Sequence, residues 1–77
     1  MSDTLDRIKK VTVDLLKIDE GKITEESRFV EDLGAESIQS IELVAAFEEE
    51  FDIEMDEDEA LGVKTVGDAA EFIGKLV

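Results

Sequence analysis

The chain has 77 residues, of which 43% are hydrophobic, so it can form one small domain with its own core. It contains no Cys and no His, which excludes disulfides, thiol nucleophiles, Ser–His–Asp triads and the common kinds of zinc site. Its net charge of −14 would repel nucleic acid and anionic membrane surfaces.

The first predicted helix begins near Ser2 or Asp3, either of which can serve as its N-cap, and ends near Leu16. Its apolar residues recur at the helical spacing i, i+3, i+7 and i+10. They are Leu5, Ile8, Val11 or Thr12, and Leu15. This spacing predicts one buried face and leaves the choice between Val11 and Thr12 open.

Residues 17–36 predict a long loop, and a loop of this length in so small a domain is usually functional. Isolated apolar residues are expected to anchor it to the core. They are Ile18, Ile23, Phe29, Val30 and Leu33. The loop closes at Gly34, which permits a tight turn.

Three further helices are predicted after the loop. The second covers Ser37–Phe51, a short third fits residues 57–61 and ends at Gly62, and the fourth covers Val66–Leu76. The core face of the fourth helix is Val66, Ala69, Ala70, Ile73 and Val77. Residues 65–68 resemble a capping box in which Asp68 replaces the usual Glu or Gln.

No alternating strand pattern is present in the sequence. The predicted fold is therefore all-α: one domain over residues 1–77, a four-helix bundle with a short third helix and a long loop between helices 1 and 2. With no apolar run of 18 residues and no secretory signal at the start, we expect a cytoplasmic monomer without a membrane span.

The second helix has two apolar stripes. The first is an ordinary core stripe of Leu43, Val44, Phe47 and Phe51. The second lies at least a quarter-turn away and consists of Ile38, Ile41 and Ala45. Either the helix is buried on a wide face, or the second stripe is exposed and binds partners, and spacing alone does not decide between them.

Ser37 stands at the start of this helix and has two interpretations. Taken alone, it is most simply an N-cap serine that satisfies a backbone N–H. The functional interpretation is an exposed hydroxyl that carries a modification, because the positive end of a helix dipole tolerates a phosphate well. No neighbouring His or Lys is present to activate it, which favours modification by another enzyme over catalysis by Ser37.

The charges are segregated along the chain. Residues 29–63 contain no Lys or Arg but many acidic residues, whereas the basic residues lie nearer the two ends. A surface of this kind attracts and steers basic protein partners.

Residues 29–38 read FVEDLGAESI, followed by ELV at 42–44 and EEEF at 48–51. This turn of the form Gly-x-(Asp/Glu)-Ser-(Leu/Ile), opening an acidic helix, resembles the acyl carrier proteins. The resemblance covers essentially the whole chain, including its length, its acidity, the long first loop and the short third helix.

The resemblance implies a non-catalytic carrier with 4′-phosphopantetheine attached to Ser37 by a phosphopantetheinyl transferase. The thiol of that group would hold acyl chains as thioesters for acyl-transferring and chain-elongating enzymes of fatty-acid or related biosynthesis. It also implies a face for basic partners, which by position is Glu36, Ile38, Ile41, Glu42, Ala45, Glu48 and Glu49. Residues implied to line a pocket for the acyl chain are Phe29, Phe47, Ala69 and Ile73.

Two alternatives remain open at this point. The family usually has Asp and Leu where this chain has Glu36 and Ile38, so a specialised carrier of the polyketide or peptide-synthetase kind is one of them. The other is an acidic, divalent-cation-binding interaction protein, suggested by the carboxylates of residues 52–59. That segment lacks the Gly and the closing Glu of a calcium loop, so we expect no metal site.

Overall fold

The computed structural model describes residues 3–76, which form four α-helices and no strand. The helices are α1 (Asp3–Leu16), α2 (Ser37–Phe51), α3 (Glu57–Gly62) and α4 (Val66–Leu76). The all-α fold class and the short third helix are therefore as predicted, whereas the segment predicted as a loop between α1 and α2 also contains a short 3-10 helix, Glu20–Lys22. The expected cap at Ser2 and the expected core residue Val77 lie outside the described residues.

The core forms where α1 packs against both α2 and α4. On α1 the fully buried residues are Ile8 and Thr12, whereas Val11 is only half-buried. Thr12 is accepted inside because its hydroxyl donates to the Ile8 carbonyl at 2.8 Å. The other helices contribute Leu43, Phe47, Phe51, Val66, Ala69 and Ile73.

Most of the apolar loop residues anchor the loop as predicted. Ile23, Phe29 and Leu33 are buried, and the Phe29 ring lies 6.1 Å from the Phe47 ring between centroids. Ile18 is half-buried and packs against the core. The prediction for Val30 is wrong: its side chain is 54% exposed, because it follows the inward-pointing Phe29 in a turn and faces outward.

The loop is also tied to the start of α4 by backbone hydrogen bonds. Val66 N–H donates to the Ser27 carbonyl at 3.0 Å, and Gly67 N–H donates to the Glu25 carbonyl at 2.7 Å. These bonds satisfy N–H groups that a helix start leaves without partners. The predicted capping box is present as well, with Asp68 N–H donating to Thr65 Oγ1 at 3.0 Å and Thr65 N–H to Asp68 Oδ2 at 3.3 Å.

Arg7 joins α1 to the end of α2. Its Nε pairs with Glu50 Oε2 at 2.7 Å, its Nη2 donates to the Glu50 carbonyl at 2.6 Å, and its guanidinium lies 4.4 Å from the centroid of the Phe51 ring. A cation at this position offsets the negative end of the helix dipole. Within residues 3–76, no helix is both long and apolar enough to cross a membrane.

Candidate functional site

The turn that leads into α2 is fixed by Arg28. Its carbonyl accepts hydrogen bonds from the N–H groups of Asp32 and Leu33, both at 2.9 Å. Its guanidinium pairs with Asp32 through Nε at 3.0 Å and Nη2 at 3.2 Å, and with Glu31 through Nη1 at 2.9 Å. Gly34 then adopts a positive φ of 77°, which an L side chain rarely allows, and turns the chain toward α2.

The Arg28–Asp32 pair also changes the titration of both groups. Hydrogen bonds from the Arg28 side chain and from its backbone N–H hold the pKa of Asp32 below its usual 3.8. The same pair raises the pKa of Arg28. The turn therefore keeps its ion pair across the neutral range.

The N-cap of α2 is Glu36, and Ser37 is the first helical residue. Glu36 has extended backbone angles (φ −81°, ψ 166°), and its N–H donates to Gln39 Oε1 at 2.9 Å. The N-cap interpretation of Ser37 is therefore wrong. The Ser37 side chain is exposed, and its hydroxyl bonds none of the residues 3–76.

This environment fits a covalently attached phosphate. The hydroxyl is not needed to cap the helix, it faces solvent, and it stands at the positive end of the α2 dipole, where a phosphodiester is favoured. No basic side chain among residues 3–76 is hydrogen-bonded to it.

The second stripe of α2 is exposed, which excludes the alternative of a wide buried face. Ile38 is 64% exposed and Ile41 70% exposed, while Leu43, Phe47 and Phe51 on the other side are buried. Ala45, the third residue of the stripe, is also exposed, and so are three of the bordering carboxylates, those of Glu36, Glu42 and Glu49. Glu48 is half-buried, because its carboxylate accepts a hydrogen bond from Met55 N–H at 2.8 Å.

A cleft of about 480 Å³ opens between α2, the loop and α3. Phe29, Leu43, Phe47 and Met55 form its buried interior. Its mouth has three exposed apolar side chains, those of Val30, Ile41 and Leu61. Of the four residues expected to line an apolar pocket, Phe29 and Phe47 line this cleft, whereas Ala69 and Ile73 are fully buried and are not among its walls.

The walls contributed by α3 and its flanks were not expected from the sequence. They are Met55, Glu57, Ala60, Leu61 and Val63. The available signal was Leu61, a large apolar residue on a short helix whose first three residues are acidic, where it cannot be explained as part of an amphipathic stripe.

The acidic segment 52–59 is the basis of the divalent-cation alternative. No group of three or more acidic side chains there could hold an ion. Two of its carboxylates, those of Asp56 and Glu59, form the capping box of α3, in which Asp56 N–H donates to Glu59 Oε1 at 3.1 Å. The geometry thus gives no support to the divalent-cation alternative.

Comparison with known proteins identifies the kind of site. Residues 6–73 match the family model described as "Phosphopantetheine attachment site". The acyl carrier protein of Phenylobacterium zucineum is 52% identical over 73 residues, covering 95% of this chain and 92% of that protein. The acyl carrier protein of Caulobacter vibrioides strain NA1000 is also 52% identical over 73 residues, covering 95% of this chain and 94% of its own length. With most of its length matched in this way, the chain belongs to the acyl carrier protein family.

Proposed function

We propose that Ser37 is the attachment point of a 4′-phosphopantetheine arm on which this chain carries acyl groups as thioesters. The observation that supports this assignment best is the exposed Ser37 hydroxyl, which bonds none of the residues 3–76 and stands at a helix start that Glu36 already caps. When bound, the group supplies the thiol that forms the thioester, which this Cys-free chain cannot provide itself.

Attachment requires a separate enzyme, a phosphopantetheinyl transferase. Ser37 Oγ attacks the phosphorus next to pantetheine in coenzyme A, so the Oγ–P bond forms as the bond to the adenosine 3′,5′-bisphosphate leaving group breaks. A base of the transferase takes the hydroxyl proton, because none of the described residues is bonded to Ser37 Oγ. The chain contributes an accessible hydroxyl on a fixed turn, and we assign it no catalysis of its own.

Partner enzymes would dock on the exposed stripe of α2. Ile38, Ile41 and Ala45 offer an apolar centre, and Glu36, Glu42, Glu48 and Glu49 offer a negative border for basic patches. This face begins beside Ser37, so a docked enzyme would meet the arm at its base. The partners would include the transferase and enzymes that transfer or extend acyl chains.

The cleft beside α2 would bind the acyl chain and shield it from solvent while no partner enzyme is docked. Phe29 and Phe47 would contact the chain directly, while Ala69 and Ile73 would lie behind the cleft in the core. We place the carrier, a monomeric four-helix bundle, in the cytoplasm and in fatty-acid or related biosynthesis. Polyketide or peptide-synthetase carriers share the same serine chemistry and differ in cargo.

The proposal is tested by incubating the apo chain with coenzyme A, Mg²⁺ and several phosphopantetheinyl transferases, followed by intact-mass measurement. The wild-type chain should gain one phosphopantetheine mass, and Ser37→Ala should gain none. Ser40→Ala is the matched control, because it removes the other α2 hydroxyl and should still be modified. A wild-type chain that gains no mass, or a modified Ser37→Ala, contradicts the proposal.

A further inference from the structure

Glu48 differs from the other carboxylates of the docking face. Its Oε2 accepts a hydrogen bond from Met55 N–H at 2.8 Å, and the side chain is half-buried. Its backbone carbonyl accepts two more bonds, from Asp52 N–H and from Ile53 N–H, the latter at 3.1 Å. One residue therefore holds both the end of α2 and residues 52–56, the connector to α3.

The connector forms part of the cleft. Asp52 adopts a left-handed conformation with φ 55° and ψ 51°, which turns the chain back after α2. Met55 follows with only 9% of its surface exposed, and it lines the cleft. A displacement of Met55 therefore changes the interior in which we place the acyl chain.

The far wall of the cleft is weakly held. None of the six residues of α3 is buried, although Ala60 and Leu61 line the cleft from this helix. A short helix with no buried residue unfolds locally, or detaches from its neighbours, at a low cost in free energy. The Glu48–Met55 bond is therefore a direct polar link between α2 and the segment that carries this wall.

We infer that Glu48 is a positioning residue that couples partner docking to opening of the cleft, an inference that rests on the proposed carrier function. An Arg of a docked partner competes with Met55 N–H for the Glu48 carboxylate, since a guanidinium engages both oxygens of a carboxylate at once. When Met55 N–H loses its acceptor, the connector and α3 move away from α2. The acyl chain is then released where the partner sits.

The first test uses the free apo protein and residue-level amide hydrogen exchange by NMR. Glu48→Ala should speed exchange of the Met55 amide and of residues 57–62 by about tenfold, because one charge-assisted hydrogen bond is lost. Glu48→Gln keeps an acceptor oxygen and should stay near wild type. Glu49→Ala removes the same charge one residue along α2 without removing a bond to the connector, and it should also stay near wild type.

The second test adds a saturating octa-arginine peptide at low salt as the cationic probe. Exchange at Met55 should rise about threefold or more in wild type, because guanidinium groups draw the Glu48 carboxylate away from Met55 N–H. It should not rise in Glu48→Gln, whose neutral amide does not attract the peptide. Unchanged Met55 exchange in Glu48→Ala, no rise in wild type, or an equal rise in both proteins would each overturn the inference.

Neither measurement requires the arm. Failure of the exchange tests with normal modification of Ser37 rejects the coupling and leaves the carrier function intact. A chain that passes the exchange tests but gains no mass at Ser37 rejects the carrier function itself.

Discussion

Gly67 illustrates how one residue can secure the loop that precedes the site. A Cβ atom at this position would lie 2.8 Å from the Glu25 carbonyl oxygen, a distance that backbone atoms cannot relieve without shifting. We expect Gly67→Ala to lower the free energy of unfolding by about 1–3 kcal/mol, because the loop must move away from the start of α4. Urea denaturation measures the change.

Gly74 provides the matched control on the same helix. Nothing lies within 4 Å of a Cβ built there, and the residue is exposed. Gly74→Ala should therefore raise stability by about 0.5–1 kcal/mol through helix propensity alone. Equal changes in the free energy of unfolding for the two substitutions would show that the close contact between Gly67 and Glu25 does not affect stability.

At the residue scale, spacing predicts which face is buried but not which of two neighbours lies deepest. Val11 and Thr12 both fit the α1 stripe, and the more polar residue is the one that is fully buried. The reason is its bond to the Ile8 carbonyl, which removes the cost of burying a hydroxyl. Val30 is the opposite case, an apolar residue that was predicted to be buried and is exposed. Hydrophobicity alone does not reveal that a side chain faces outward from a turn.

At the scale of helices, Arg7 is the clearest contact between α1 and α2. Arg7→Gln should lower the free energy of unfolding by about 1 kcal/mol, since it loses an exposed ion pair and a cation–aromatic contact. Thermal or urea unfolding gives the value, and the loss should shrink in high salt as the ion pair is screened. Lys10→Gln, an exposed change of charge on the same helix, should have a much smaller effect.

The loop makes a contribution to the free energy of unfolding that depends on pH in the acid range. The pKa of Asp32 is lower in the folded chain than its usual 3.8, so near that pH the unfolded chain binds more protons than the folded one. The contribution of Asp32 to stability is therefore fully present above pH 3.8 and is lost as the pH falls through the lower, folded value. The stability difference between wild type and Asp32→Asn should be constant above about pH 5 and shrink below pH 4. A difference that grew on acidification would contradict this sign.

Helix boundaries were largely predictable from the sequence, whereas the attachment of the loop was not. α2 and α4 have the predicted bounds because caps, apolar spacing and Gly positions mark them. The bonds from Val66 and Gly67 to loop carbonyls join backbone atoms, which any residue possesses. Only a Gly at position 67 hinted at a close approach.

At the scale of the whole molecule, the charge of −14 opposes folding through self-repulsion. We expect MgCl₂ at about 10 mM to raise the melting temperature by about 5 °C, since roughly 1 kcal/mol shifts a domain of this size by that amount. KCl at matched ionic strength separates screening from a specific effect of Mg²⁺. A melting temperature that is unchanged or lower in both salts would contradict the argument from self-repulsion.

The site itself could be predicted from the sequence only in part. Ser37 was singled out because its motif resembles a known family, since an isolated serine at a helix start is most simply a cap. The exposure of Ile38 and Ile41 needed the structure, because an amphipathic pattern cannot distinguish a wide buried face from a free one. The α3 side of the cleft depends on how a six-residue helix sits against α2, which its own sequence does not specify.

The central claim is that the Ser37 hydroxyl carries the arm. The most direct test is mass spectrometry of the protein purified from its own cells, first intact and then as peptides. We predict a single phosphopantetheine on the peptide that contains Ser37, with acyl thioesters on a fraction of the molecules. An unmodified Ser37 peptide throughout, or the arm on any other residue, would contradict the account.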